Sequence, residues 1–249
     1  MMEKFNPFSL KGKVILVTGA SSGIGKSIAI ECSKMEAILI IVGRDELRLN
    51  ETYSQLFGEG HQQYLVDLTN DDDCLTLVSQ LPILDGIVHC AGVLKKLPFK
   101  FLNRAELNRI MDLNFYSPTL LSQAIVRQKK LNQSASVVFI SSIASHVASY
   151  GSSAYMASKG AINSIYRGMA LELSEKRIRV NCVEPGLVKT QLTIGSLTDE
   201  DLENYEKRYP LGRFGEPEEI AYAVIYLLSD ATKWITGSVL TIDGGITLR

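Results

Sequence analysis

Only four cysteines and three histidines stand among 249 residues. Cys32, Cys74, Cys90 and Cys182 lie far apart, without C-x-x-C spacing and in mostly apolar segments. That speaks against a disulfide or zinc framework and fits buried thiols in a reducing compartment. His61, His89 and His146 are equally scattered, so no metal is expected and a structural histidine is the plain reading of each. An excess of charge of either sign is missing too. With 26 basic against 27 acidic residues the net charge is -1, which leaves no global field to draw in nucleic acid or an anionic membrane, and neither is expected as a partner. The longest apolar run, AILIIV at 37–42, is far too short to span a bilayer, and the N-terminal MMEKFNPFSLKGK carries no apolar secretory core. A cytoplasmic location is expected. Internal repeats and low-complexity stretches are absent as well.

What the chain does have is a succession of short apolar runs rich in Val and Ile: VILV (14–17), AILIIV (37–42), QYLV (63–66), GIVHC (86–90), SVVFI (136–140), RVNCV (179–183) and SVLTI (238–242). Because they are uniformly apolar rather than alternating, they read as buried strands. Between them lie helical patterns: Ile24, Ile28, Cys32 and Met35 follow a 3.6-residue period, and 103–131, 155–175 and 216–229 carry longer amphipathic stretches. Alternating strand and helix predicts an α/β fold: one domain over 1–249 with a mainly parallel sheet, right-handed crossovers and helices on both faces. Ligands of such sheets bind at the carboxyl ends of the strands.

Two local patterns carry chemistry. VILVTGASSGIGKSIAIECSKM runs strand, glycine-rich turn, helix; Gly19 permits a sharp turn, while Gly23 and Gly25 clear side chains where backbone would approach a pyrophosphate and where helix packs on strand. The spacing is Gly-x-x-x-Gly-x-Gly rather than G-x-G-x-x-G, so taken alone the loop suits either nucleotide binding or a plain turn. In SSAYMASKGAIN, Tyr155 and Lys159 stand at i and i+4 and share a helix face. By itself this pair also describes a packed Tyr with a snorkelling Lys. A phenol that must give up a proton near neutral pH, starting from a pKa of about 10, needs a fixed cation beside it.

Taken together, TGASSGIG (18–25), CAG (90–92), Asn114, SS (141–142), YMASK (155–159), PGLVKT (185–190) and ITGSVLTIDGG (235–245) resemble, in order and spacing, the classical short-chain dehydrogenase/reductase family over nearly the whole chain. PLGRFGEPEEIA and the C-terminal stretch are most similar to the 3-oxoacyl-acyl-carrier-protein reductase type, a tail shared with sugar, polyol and steroid enzymes. The resemblance implies a single Rossmann-type domain with a doubly wound seven-stranded parallel sheet. Its cofactor half would cover about 10–135, its catalytic half about 136–249, and a lid about 191–214.

The resemblance further implies a catalytic set of Asn114, Ser142, Tyr155 and Lys159. Tyr155 would be the general acid in carbonyl reduction and the base in alcohol oxidation. Lys159 would tune the phenol and bind the nicotinamide ribose, Ser142 would hold the substrate oxygen, and Asn114 would hold a water linking Lys159 to solvent. The cofactor would lie on Gly19, Ser21, Ser22, Gly23, Ile24, Gly25, Arg44, Asp67, Leu68, Ala91, Gly92, Tyr155, Lys159, Pro185, Gly186, Val188 and Thr190, with Asp67 meeting the adenine amine and Val188 and Thr190 the carboxamide. The second strand ends in IIVGRDEL: Gly43 then Arg44, with no carboxylate in the first place, favours NADP(H), while Asp45 keeps NAD(H) open unless it only caps the helix beginning near Glu46.

Leu94, Ile143, His146, Tyr150, Leu187 and Leu192 are the expected substrate-facing residues and describe a mostly apolar pocket. An acyl thioester or a small ketone suits it; an alcohol, sugar or polyol dehydrogenase is the alternative, and a regulator that binds the cofactor without turnover is a third. Leu192, Ile194, Leu197 and Leu202 would cover the substrate from the lid, where Thr198 and Asp201 read as a capping box. Acyl-carrier protein is a candidate partner, with Arg127, Lys129, Lys130, Lys176 and Arg177 as a docking patch if the fold brings them to the rim. Family members pair their long helices between subunits, so a homotetramer is expected. His89 and Cys90 depart from the family's usual Asn-Asn, and altered contacts in the sheet are expected there.

Overall fold

The structure is a computed structural model that describes residues 6–194 and 199–248. Thr198 and Leu197 of the expected lid lie outside the described residues, as do the side chains of Ile194 and Asp201. Seven strands, β1 (Val14–Thr18), β2 (Ile38–Gly43), β3 (Gln62–Leu65), β4 (Leu84–His89), β5 (Leu131–Ile140), β6 (Arg179–Pro185) and β7 (Val239–Ile242), form one sheet in the order 3-2-1-4-5-6-7, with every ladder parallel. The chain runs outward from β1 to β3, then crosses back to place β4 beside β1. Between β1 and β4 the winding reverses, and a crevice opens there at the carboxyl ends of the strands.

Parallel strands require crossovers, and these supply α1 (Gly23–Lys34), α2 (Glu46–Tyr53), α3 (Asp71–Gln80), α4 (Arg104–Met111), α5 (Ser117–Arg127), α6 (Ser153–Glu172), α7 (Gln191–Ile194), α8 (Asp199–Glu206) and α9 (Pro217–Leu228). Alternate strand residues point to opposite faces. Ile15, Val17, Ile41, Val88 and Val183 pack under α1 and α9 with Ile28, Cys32, Ile220 and Val224; Leu16, Ile40, Ile87, Phe139 and Cys182 pack under α3, α5 and α6 with Leu77, Leu121, Ile125, Ile162 and Tyr166. Both faces are covered, which is why the central runs lack polar alternation.

The edge strands depart from that reading. Gln62, Gln63 and Leu65 of β3, and Val239, Leu240 and Thr241 of β7, are exposed; a strand with one neighbour is also the least completely covered by the crossover helices. The stretch 103–131 is also not one regular helix. A π-helical turn at Asp112–Tyr116 separates α4 from α5, with the Ser117 hydroxyl donating to Asp112 O at 2.7 Å. It carries Asn114, which is 1% exposed; such extra-residue turns redirect a side chain within a helix.

His89 accounts for the departure at HCAG. It is buried at the end of β4, stacked on Phe139 with centroids 4.7 Å apart, and its Nε2 lies 2.7 Å from Ser122 Oγ. The Ser122 proton goes to Pro118 O at 2.8 Å, so Nε2–H is the donor, and the ring ties β4 to α5. Burial holds its pKa down at about 3, against 6.5 ordinarily. Between those values the unfolded chain binds the proton and the folded one does not, so this contribution is intact above pH 6.5 and is lost as the pH falls toward 3. The parent is therefore expected to lose roughly 3 kcal/mol more stability than His89→Asn between pH 7 and 4, at about 1.4 kcal/mol per unit. Urea denaturation of both proteins at several pH values measures this, and parallel pH curves would refute a buried neutral imidazole.

Candidate active site

A cleft of about 610 Å³ opens at the carboxyl ends of the strands. Its wall contains every expected cofactor residue: Gly19, Ser21 to Gly25, Arg44, Asp67, Leu68, Ala91, Gly92, Tyr155, Lys159, Pro185, Gly186, Val188 and Thr190. Ser142 and Leu192 line it as well. Asn114 lies behind the wall, and Leu94, Ile143, His146, Tyr150 and Leu187 are not on it. Tyr150 is exposed, and His146 is half-exposed beside Ser145 and Glu184. Ile143–Ser145 is a 3-10 turn, in which successive side chains point about 120° apart, so nearness to Ser142 in sequence does not carry over into space.

The β1–α1 turn is built by close approach. Gly19 has φ +70°, and a Cβ there would stand 2.7 Å from Ala91 N and Cα; a Cβ on Gly25 would stand 2.2 Å from Gly19 O. The turn therefore rests directly on the end of β4. Thr18 Oγ1 fastens the same seam, accepting from Cys90 N at 3.1 Å and Ala91 N at 3.3 Å. At the start of α1 no side chain caps the helix and no acid stands in its first turn, so its free N–H groups and positive dipole end face the cleft. Ser21 Oγ is buried without a partner, and it fills the space where a Cβ on Gly43 would lie only 1.9 Å away. Uncapped amides and an orphaned hydroxyl are what the phosphate and ribose oxygens of a dinucleotide would satisfy, so these residues fit such a cofactor.

Beyond Gly43, Arg44 makes no ion pair among the described residues, whereas Lys26 pairs with Glu51 at 2.7 Å. Asp45 caps α2, accepting from Arg48 N at 3.1 Å, with Arg48 Nε 3.5 Å from its other oxygen. Asp67 accepts from Thr69 N and Oγ1; these bonds, with the nearby Arg44 charge, hold its pKa below the usual carboxylate range.

At the other end of the cleft, α6 presents Tyr155 and Lys159 one turn apart. Lys159 Nζ stands 5.7 Å from the centre of the Tyr155 ring and donates to Ile140 O at 2.8 Å. Ser142 caps the 3-10 turn by accepting from Ala144 N at 3.1 Å, which leaves its own proton for another acceptor. Asn114 accepts from Val93 N at 2.8 Å and donates to Val93 O at 2.9 Å and Ser158 Oγ at 3.0 Å. Both amide protons are thus committed to tying the β4 loop to α6, and a water at this residue would have to sit on its carbonyl oxygens.

Sequence reasoning missed Thr193. Its hydroxyl meets Val188 O, lies 3.1 Å from Thr190 Oγ1 and accepts from Thr190 N at 3.2 Å, fastening the loop that carries both expected carboxamide contacts. The signal was a bare Thr-x-x-Thr after a Pro-Gly turn. The expected docking patch is not at the rim: Arg127, Lys129 and Lys130 lead into β5 and Lys176 and Arg177 into β6, which puts them at the amino edge of the sheet, opposite the cleft. Every crossover in a parallel sheet returns the chain to that edge. Among the described residues no helix is long and apolar enough to cross a membrane.

The cradle yields a direct expectation. Gly25→Ala forces backbone apart at the β1–α1 turn, so dinucleotide affinity should fall by roughly tenfold or more while the sheet persists. Fluorescence titration with NADPH alongside circular dichroism checks it, and unchanged affinity would show that the turn does not hold the phosphates.

Comparison with known proteins agrees with this geometry. Residues 19–247 match the family described as Enoyl-(Acyl carrier protein) reductase. The 3-oxoacyl-acyl-carrier-protein reductase of Rickettsia bellii is 31% identical over 96% of this chain and 98% of its own. The gluconate 5-dehydrogenase of Gluconobacter oxydans is also 31% identical, over 97% of each. Among solved structures, a proposed NAD(P)-dependent gluconate 5-dehydrogenase from Beutenbergia cavernae, with NADP bound at low occupancy, superposes with a TM-score of 0.89 at 28% identity over 98% of this chain and all of that one. Parallel sheet, glycine cradle and sequence likeness over nearly its full length thus agree: the chain belongs to the classical short-chain dehydrogenase/reductase family of NAD(P)-dependent oxidoreductases, with the 3-oxoacyl-acyl-carrier-protein reductases among its relatives.

Proposed function

We propose that this protein is an NADP-dependent carbonyl reductase in which Tyr155 protonates the substrate oxygen. One observation carries the reading: Tyr155, Lys159 and Ser142 share the wall of the cleft whose far end is the phosphate cradle. The bound nicotinamide would supply the hydride to the carbonyl carbon. Ser142, with its own Oγ already accepting from Ala144 N, donates its free proton to the substrate oxygen and orients it. Tyr155 delivers the balancing proton to that oxygen. Lys159, anchored on Ile140 O, keeps a positive charge beside the phenol as it becomes anionic. Asn114 holds the β4 loop against α6 through Val93 and Ser158, with its Oδ1 packed where a Cβ on Gly92 would stand 3.3 Å away.

Preference for NADP is supported by Arg44, which has no ion pair among the described residues, by the glycine in the place where an NAD site would carry its acid, and by the commitment of Asp45 to the α2 cap and Arg48. For the substrate, we propose a 3-oxoacyl thioester, on the strength of the relatives named for that activity. The relatives that are a gluconate 5-dehydrogenase and a 7alpha-hydroxysteroid dehydrogenase at 31% identity support the second reading, an alcohol, sugar or polyol dehydrogenase using the same side chains.

NADPH oxidation across 3-oxoacyl thioesters, simple ketones and keto sugars separates these readings by which class turns over. Tyr155→Phe should lower kcat by roughly 10²- to 10⁴-fold, the range of a positioned general acid, without weakening dinucleotide binding; a variant with parental turnover would remove Tyr155 from the proton's path. Arg44→Ala should cut the NADPH over NADH ratio of kcat/KM by roughly 10- to 100-fold, the value of one hydrogen bond to a charged group. An unchanged ratio would remove Arg44 from cofactor choice.

A further inference from the structure

A second polar group lies buried beside the catalytic end and takes no part in the reaction above. Glu184, the penultimate residue of β6, is 3% exposed and shares strand parity with Val180 and Cys182, the residues that pack toward α6. Among the described residues no lysine or arginine pairs with it; His146 Nδ1, at 3.7 Å, is the nearest cationic candidate. Its Oε1 instead accepts from Ser145 Oγ at 2.8 Å and from Asn163 Nδ2. With the Ser145 proton given to the carboxylate, Ser145 Oγ must accept from His146 Nδ1–H, 2.9 Å away. A carboxylate this buried is costly unless its lone pairs are filled, so these donors are held firmly.

The donors come from the segments that carry the proposed chemistry. Ser145 closes the 3-10 turn that Ser142 caps, its N–H bonded to Ser142 O at 3.0 Å. Asn163 lies one helical turn beyond Lys159, itself one turn beyond Tyr155. Glu184 leads directly into Pro185 and Gly186 on the cleft wall. We propose that Glu184 is a positioning residue: its carboxylate clamps the Ser142 turn and α6 to the end of β6, and so fixes Ser142 relative to Tyr155. This rests on the reading of Ser142 and Tyr155 given above.

The test compares the parent with Glu184→Leu and Glu184→Gln, measuring kcat and KM for the carbonyl substrate, NADPH affinity, and hydrogen exchange of the amides at 143–147. Glu184→Leu should lower kcat by roughly 10- to 100-fold, the cost of a small misplacement of reacting groups, with NADPH affinity nearly unchanged and exchange at 143–147 accelerated. Glu184→Gln keeps an oxygen that accepts from Ser145 and Asn163 and should restore both. Parental kcat and exchange in Glu184→Leu would overturn the proposal, as would a loss that tracks NADPH affinity, or Glu184→Gln behaving like the leucine variant. Should Glu184→Leu not fold, Ser145→Ala and Asn163→Ala each remove a single donor and are judged by the same readouts. If the parent turns over no carbonyl substrate, the reaction reading fails by itself, and the exchange comparison alone decides for or against the clamp.

Discussion

The close seating of the β1–α1 turn on the end of β4 is the contact on which the site depends. Gly19 and Ala91 touch backbone to backbone, and Gly25 lies under the Gly19 carbonyl with no room for a methyl group. Because the turn is that low, α1 directs its free amides along the crevice. Thr18, a polar side chain buried in an apolar seam, is affordable only because its hydroxyl is surrounded by Cys90 N, Ala91 N and Val88 O. The geometry of the turn is therefore set by the sheet core, whose strands cannot shift without breaking the ladders on both sides.

Opposite the cradle, a different principle governs. Lys159, Asn114 and Glu184 are nearly buried, and each is held by hydrogen bonds between segments remote in sequence: Lys159 to Ile140, Asn114 to Val93 and Ser158, Glu184 to Ser145 and Asn163. Buried polar groups of this kind add little net stability, but they penalise any arrangement that leaves one unpaired. They specify how the Ser142 turn, the β4 loop and α6 sit against one another. Arg179 does similar work at the far end of the same strand, where it donates to Leu227 O in the last turn of α9 and to Ser229 O and Thr232 Oγ1 just beyond it.

His89 ends β4 beside the cleft but turns its ring away from it. Its ring spans from β4 to Ser122 on α5, on the face of the sheet away from α1, while Cys90 and Ala91 keep their backbone bonds to Thr18. Burial, against the opposing charge of Lys159, also pushes the Cys90 thiol up to about 12, which keeps it protonated at neutral pH where it borders the cleft.

The sequence by itself determined the alternation of strand and helix, the position of the glycine-rich turn, and the pairing of Tyr155 with Lys159, because these follow from local periodicity and from glycine and charge at short spacing. The five central strands were legible since burial on both faces leaves them apolar runs without the alternation of a half-exposed strand. The exposure of β3 and β7 was not, since being at an edge is a property of strand order. Only the tertiary structure decided that Asn114 turns inward on a π-helical turn, that five basic residues gather at the edge away from the cleft, and that Ile143, His146 and Tyr150, which follow Ser142 in the chain, are off the cleft wall. It also decided the contacts of Thr193 and Glu184. Each of these depends on which distant segment a side chain meets, and a hydrogen bond between residues twenty or forty positions apart leaves no periodic trace in the chain.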